Sequence, residues 1–118
     1  MTEIFVFGSN LAGRHGKGAA LYAKQYHGAE YGAGIGLTGN SYAVPTKDEH
    51  LKTLPLFIIK EYINDFKTFA EEHSELKFKV TRIGCGLAGY KDFQIAPMFK
   101  NFPSNCSFDL AWNEFLND

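Results

Sequence analysis

Phe5-Val6-Phe7-Gly8-Ser9-Asn10-Leu11-Ala12-Gly13-Arg14-His15-Gly16-Lys17-Gly18-Ala19-Ala20 joins an all-apolar run to a helical pattern through a connection that holds four glycines. Ile4 to Phe7 is apolar without interruption, which predicts a parallel strand buried on both faces. From Gly18 to about Tyr26, Ala19, Ala20, Tyr22, Ala23 and Tyr26 recur at helical spacing, and Gly28 is placed to end that helix. Glycines as dense as these strip side chains away so that backbone N–H groups can face a ligand, and a phosphate suits them. A second stretch, Val80-Thr81-Arg82-Ile83-Gly84-Cys85-Gly86-Leu87-Ala88-Gly89-Tyr90, has the same order of β-formers, glycine loop and amphipathic segment. Two such loops at the ends of neighbouring parallel strands would enclose one cleft.

The remaining pattern agrees with this arrangement. Ser41 to Val44 reads as a short strand that Pro45 stops, with Thr46 and Lys47 at its carboxyl end. Leu56 to about His73 is the longest predicted helix, with Ile59, Tyr62, Ile63, Phe66, Phe69 and Ala70 as its apolar stripe. Phe78 to Ile83 is a third main strand. Asp92 is expected to N-cap a short helix over Ile95 to Phe99, with Pro97 in its first turn. Asn105 to Phe108 reads as a last short strand, and Leu110 to Leu116 as a terminal helical turn. The stretch from Gly28 to Gly39 is too glycine-rich for regular structure and too apolar for a free tether, so an ordered connection against the cleft is expected. Alternating strands and helices predict an α/β fold of three layers: a small, mostly parallel sheet with helices on both faces, binding its ligand beyond the strands' carboxyl ends.

A length of 118 residues suits one domain, 1–118, and 45% hydrophobic content is enough for a core. The net charge of −1 provides no broad positive field, which argues against extended nucleic-acid binding and leaves an anion to local backbone donors. No apolar run approaches the roughly 20 residues that would cross a bilayer. Cys85 and Cys106 fit no metal-ligand spacing, and no secretory or transit segment precedes Ile4, so the expected setting is a reducing cytoplasm. The four histidines fall at no paired ligand spacing, and neither a metal nor a cofactor is expected. Aromatic content of 15% leaves room for a homodimer face.

Two nucleotide-binding patterns are weak here. Gly84-x-Gly86-x-x-Gly89 has dinucleotide-fingerprint spacing with Asp109 twenty residues on, but Gly34-x-Gly36-x-x-Gly39 repeats the spacing with no strand before it. Too few residues follow Gly89 for the remaining strands of a full Rossmann fold. A Walker reading of Gly16-Lys17-Gly18 would need a glycine at Leu11 and a Ser or Thr at Gly18.

At these residues the chain resembles the macro-domain superfamily, the ADP-ribose-binding fold, in a reduced form. Asn10 matches the asparagine that ends the first strand, His15-Gly16-Lys17-Gly18-Ala19 the first loop, and Gly84-Cys85-Gly86-Leu87-Ala88-Gly89-Tyr90 the second. Ser41-Tyr42-Ala43-Val44-Pro45-Thr46 resembles the strand between them. The two loops together are also similar to those of small bacterial and phage proteins. The resemblance implies binding of ADP-ribose or a related nucleotide phosphate, with contacts from Gly8, Ser9, Asn10, Gly16, Lys17, Gly18, Thr46, Gly84, Cys85, Gly86, Leu87, Ala88, Gly89 and Tyr90. If the protein is an enzyme, the implied reaction is hydrolysis of an ADP-ribosyl bond at ribose C1, with Asn10 positioning substrate and His15 as general acid or base. The alternative is a sensor or sequestering module that returns its nucleotide intact. No counterpart of the macro-domain aspartate that holds adenine is present, and Gly84-Cys85 replaces a Ser-Thr pair, so the diphosphate-and-ribose part of the likeness carries over best.

Overall fold

A computed structural model describes residues 3–117; Met1, Thr2 and Asp118, the ends of the expected 1–118 domain, lie outside the described residues. Five strands form one mixed sheet in the order β2-β3-β1-β4-β5. These are β1 (Glu3–Asn10), β2 (Gly36–Thr38), β3 (Ser41–Lys47), β4 (Lys77–Val80) and β5 (Cys106–Phe108). All neighbours are parallel except β2 and β3. The helices are α1 (Gly18–Tyr26), α2 (Leu56–Glu72), α3 (Asp92–Ile95) and α4 (Asn113–Leu116), with 3-10 turns at Ala96–Phe99 and Leu110–Trp112.

The central strand β1 explains its own continuous apolar sequence. Ile4 and Val6 point into one cluster with Ile59, Ile63, Phe66 and Ala70 of α2, while Phe5 and Phe7 point into the other with Ala20 and Ala23 of α1. Successive side chains alternate between faces, so a strand covered on both must be apolar at every position. In β4, by contrast, Phe78 and Val80 are buried towards α2, but Lys77 and Lys79 are exposed. The nine-residue α1 covers only the centre of its face, and the α1 side of β4 is left to water.

Three expectations are corrected. The Gly28–Gly39 connection does hold regular structure, because β2 pairs with Ser41 to Ala43. Pro45 does not stop β3, which continues to Lys47 opposite β1 with a register shift at Ser9/Asn10. Since β2 reaches only Ala43, β3 is an edge on that side at Pro45, and the missing N–H costs no ladder bond there. Asp92 is the first residue of α3 rather than its cap, and its carboxylate bridges Arg82 and the Trp112 indole (Nε1 to Oδ1, 2.8 Å).

The C-terminal segment is bound to α2 through Asn105. Its Nδ2, with two hydrogens shared among three acceptors, donates to the carbonyls of Ala70 in the last turn of α2 and of His73 and Leu76 just beyond it, at 3.0–3.1 Å. Trp112 is fully buried, 5.2 Å from the Phe99 ring centroid.

Candidate functional site

β1 and β4 are adjacent and parallel, so the loops that follow them leave the same edge of the sheet. The first loop is folded by Asn10. Its Oδ1 accepts from the Arg14 N–H and its Nδ2 donates to the Arg14 carbonyl, both at 2.9 Å. Gly13 takes φ +70°, and a Cβ there would overlap the backbone of Gly32, whose N–H donates to the Gly13 carbonyl. A Cβ on Gly34 would likewise overlap the Asn10 carbonyl oxygen. The glycines of the 28–39 connection therefore allow backbone to pack on backbone beneath the first loop.

The second loop is anchored at its start by Thr81, whose hydroxyl donates to the Val6 carbonyl at 2.8 Å. It turns through Gly84 at φ +79° and closes with the Tyr90 N–H on the Gly84 carbonyl and the Gly89 N–H on the Gly86 carbonyl. The segment after β3 holds it from outside. Thr53 donates its hydroxyl proton to the Ala88 carbonyl at 3.0 Å, and the Tyr90 hydroxyl donates to the Leu54 carbonyl at 2.6 Å.

Between the loops lies a cleft of ≈ 800 Å³. It gathers Gly8, Ser9, Asn10, Gly16, Lys17, Gly18, Thr46, Gly84, Cys85, Gly86, Leu87 and Ala88 of the expected contact set. His15, Gly89 and Tyr90 do not line it. Gly89 and Tyr90 spend their N–H groups on loop closure, and the Tyr90 hydroxyl is taken by the Leu54 carbonyl. His15, the expected general acid or base, is buried outside the lining. The ring is 0% exposed under the loop, edge-on to Phe7 at 5.4 Å, with neither ring nitrogen hydrogen-bonded among the described residues. Burial lowers its pKa below the ordinary value, and Lys24 adds to this. The Ala33 carbonyl opposes the shift but falls short of hydrogen-bond geometry.

Ser9 and Thr46 reach the cleft but use their hydroxyls internally, Ser9 donating to the Gly34 carbonyl and Thr46 to the Ser9 carbonyl. Asn10 retains one amide hydrogen beyond its bond to Arg14. Cys85 is half-buried, and burial first, then Asp92, pushes its thiol up to about 12; at neutral pH it stays protonated and a poor nucleophile.

The wall of the cleft has one sign of charge. Arg14, Lys17, Lys47 and Arg82 line it, and among the described residues no Asp or Glu does. Arg82 is held by Asp92 in a two-point pair at 2.9 and 2.7 Å, which lowers the Asp92 carboxyl to about 2. Arg14, Lys17 and Lys47 have no ion pair among the described residues. Helix α1 begins on this wall with no side-chain cap, and among the described residues the N–H groups of Gly16, Lys17, Gly18, Ala19 and Ala20 donate to no backbone or side-chain acceptor. Those of Gly86, Leu87 and Ala88 across the cleft are equally unengaged. Gly16 and Gly86 have ordinary φ, and a Cβ on either would meet nothing within 4 Å, so the fold itself does not require glycine at these two positions.

Arg14 and Arg82 carry a signal in the sequence, each a cation inside or beside a glycine loop. Tyr31, Leu51 and Thr81 also line the cleft, and only the path of the chain brings Tyr31 and Leu51 there. Among the described residues, no group of three or more His, Cys, Asp or Glu side chains is assembled for a metal, and no helix is long and apolar enough to cross a membrane. No family model, curated protein or solved structure matches the chain.

Proposed function

We propose that this cleft binds ADP-ribose or a related nucleotide phosphate in a macro-domain-like manner, and that the protein is a binding module for such a ligand. The carrying observation is the cleft wall: three basic side chains without an ion pair, a fourth held by Asp92, no carboxylate among the described lining residues, and open backbone N–H groups from both glycine loops, in a chain whose net charge is −1. An uncapped helix N-terminus favours an anion by roughly 0.3–1 kcal/mol, and by up to about 2 kcal/mol where partly buried. The volume of ≈ 800 Å³ accommodates a ligand of nucleotide size.

Binding is favoured over hydrolysis of an ADP-ribosyl bond by the chemistry of the lining. General acid–base catalysis needs a group that titrates near the working pH within reach of the substrate. The described lining offers no histidine and no carboxylate, and its single thiol is held protonated.

Titration calorimetry with ADP-ribose, AMP and pyrophosphate, followed by chromatographic recovery of each ligand, tests the reading. Micromolar binding of ADP-ribose, about −8 kcal/mol, with the ligand returned intact is the expected result. Lys17→Glu should weaken it at least tenfold, about 1.4 kcal/mol, and added salt should weaken it further. Wild-type protein that binds none of these anions overturns the proposal; recovered product would move the protein to the hydrolase class.

A further inference from the structure

Leu51 is the one bulky apolar residue among the described residues with a left-handed backbone, at φ 64°. This conformation is unfavourable for such a side chain, and residues held in it concentrate at functional positions. It sits in a short loop after β3 whose conformation is fixed from within. The Asp48 carboxylate accepts from the N–H groups of His50 and Lys52 at 2.8 and 2.9 Å, and the Asp48 carbonyl accepts from the Leu51 N–H. From outside, Thr53 and Leu54 tie the segment to the second glycine loop through Ala88 and Tyr90. For all this restraint, the Leu51 side chain enters neither apolar cluster: it is 40% exposed and lines the cleft.

Two other exposed apolar side chains face the same space, Leu87 at 63% and Tyr31 at 61%. Leu87 also reaches across to the first loop, where its Cδ1 would lie 3.5 Å from a Cβ on Gly18. Phosphate recognition has no use for such groups, since it needs donors and cations that water can also reach. An apolar wall beside an anion site does the complementary work: it removes water from the uncharged, ring-bearing part of the same ligand.

We infer that Leu51 is a specificity-determining residue of the cleft, supplying with Leu87 the apolar surface that receives the nucleoside part of a phosphorylated ligand and so separates nucleotides from bare phosphates. The inference rests on the anion-binding reading above and adds which side chains receive the nucleoside.

Leu51→Gly and Leu51→Asn test it, because both residues adopt positive φ readily and neither change asks the loop to refold. With ADP-ribose and inorganic pyrophosphate as probes, both variants should bind ADP-ribose roughly tenfold more weakly and pyrophosphate as wild type does, with no fall in melting temperature. Variants that bind ADP-ribose as tightly as wild type overturn the inference, as do variants that lose both ligands in equal measure, which would assign Leu51 to loop structure. Wild-type protein that binds pyrophosphate but not ADP-ribose overturns it while sparing the anion cleft, and binding of neither probe overturns both.

Discussion

His15→Leu should stabilise the protein relative to wild type increasingly as the pH falls. The imidazole is fully buried with both nitrogens unpartnered among the described residues. A buried polar group without a partner costs about 1–3 kcal/mol, and an apolar replacement close in volume removes that cost. Against this stand the edge contacts of the ring with Phe7 at 5.4 Å and Tyr31 at 6.3 Å, which such pairs value at about 0.5–1.5 kcal/mol. At that value for each of the two contacts, the net change near neutral pH lies within about 2 kcal/mol of zero. The pH dependence carries the sharper sign. Burial lowers the folded-state pKa below the ordinary 6.5, so below that value the unfolded chain binds a proton that the folded chain resists. Wild-type stability is then fully present above the unfolded pKa and falls beneath it, by up to about 1.4 kcal/mol per pH unit, until the folded-state pKa is reached. The charged groups near the ring do not reverse this: Lys24 disfavours the imidazolium, and no carboxylate is among the causes of the shift. Urea unfolding followed by the fluorescence of the buried Trp112, at about pH 7.5 and about pH 5.5, reads the gap between variant and wild type. A gap that stays constant, or closes, as the pH is lowered would refute the account of His15.

Two glycines that look alike in the sequence should behave in opposite ways. Gly34→Ala should destabilise by about 2 kcal/mol or more, because its Cβ overlaps the Asn10 carbonyl oxygen, whereas Gly86→Ala should leave the unfolding midpoint nearly unchanged and weaken ADP-ribose binding in calorimetry. The Arg82–Asp92 pair should be lost only in strong acid: with the Asp92 carboxyl at about 2, its contribution is present above the ordinary carboxylate pKa and disappears as pH falls through the folded value. Asp92→Asn and wild-type stability curves should therefore converge at low pH. Cys85, pushed up to about 12, should alkylate with iodoacetamide at neutral pH far more slowly in the native protein than in urea; equal rates in mass spectrometry would contradict its burial.

What the sequence determined is what local pattern can encode. The apolar run before Gly8 specified a strand covered on both faces, and α1 spans the expected Gly18–Tyr26. The stripe of α2 is buried at Ile59, Ile63, Phe66 and Ala70, as helical spacing requires. Periodicity does not fix strand order, so the pairing of β1 with β4, which sets the two glycine loops side by side, is decided by the tertiary structure. It alone also decides where individual side chains within a loop point. Gly16 faces the cleft, while His15 beside it lies beneath the loop, because Asn10 and the backbone of Gly32 and Gly34 fix the path between them. Tyr90 turns away to the Leu54 carbonyl, and Asp92 to Arg82 and Trp112. Leu51, in a polar stretch with no periodicity of its own, arrives at the cleft because hydrogen bonds at Thr53 and Tyr90 hold its loop there. Helices and strands repeat, so their faces follow from spacing. A loop does not repeat, and its orientation is set by partners distant in the chain.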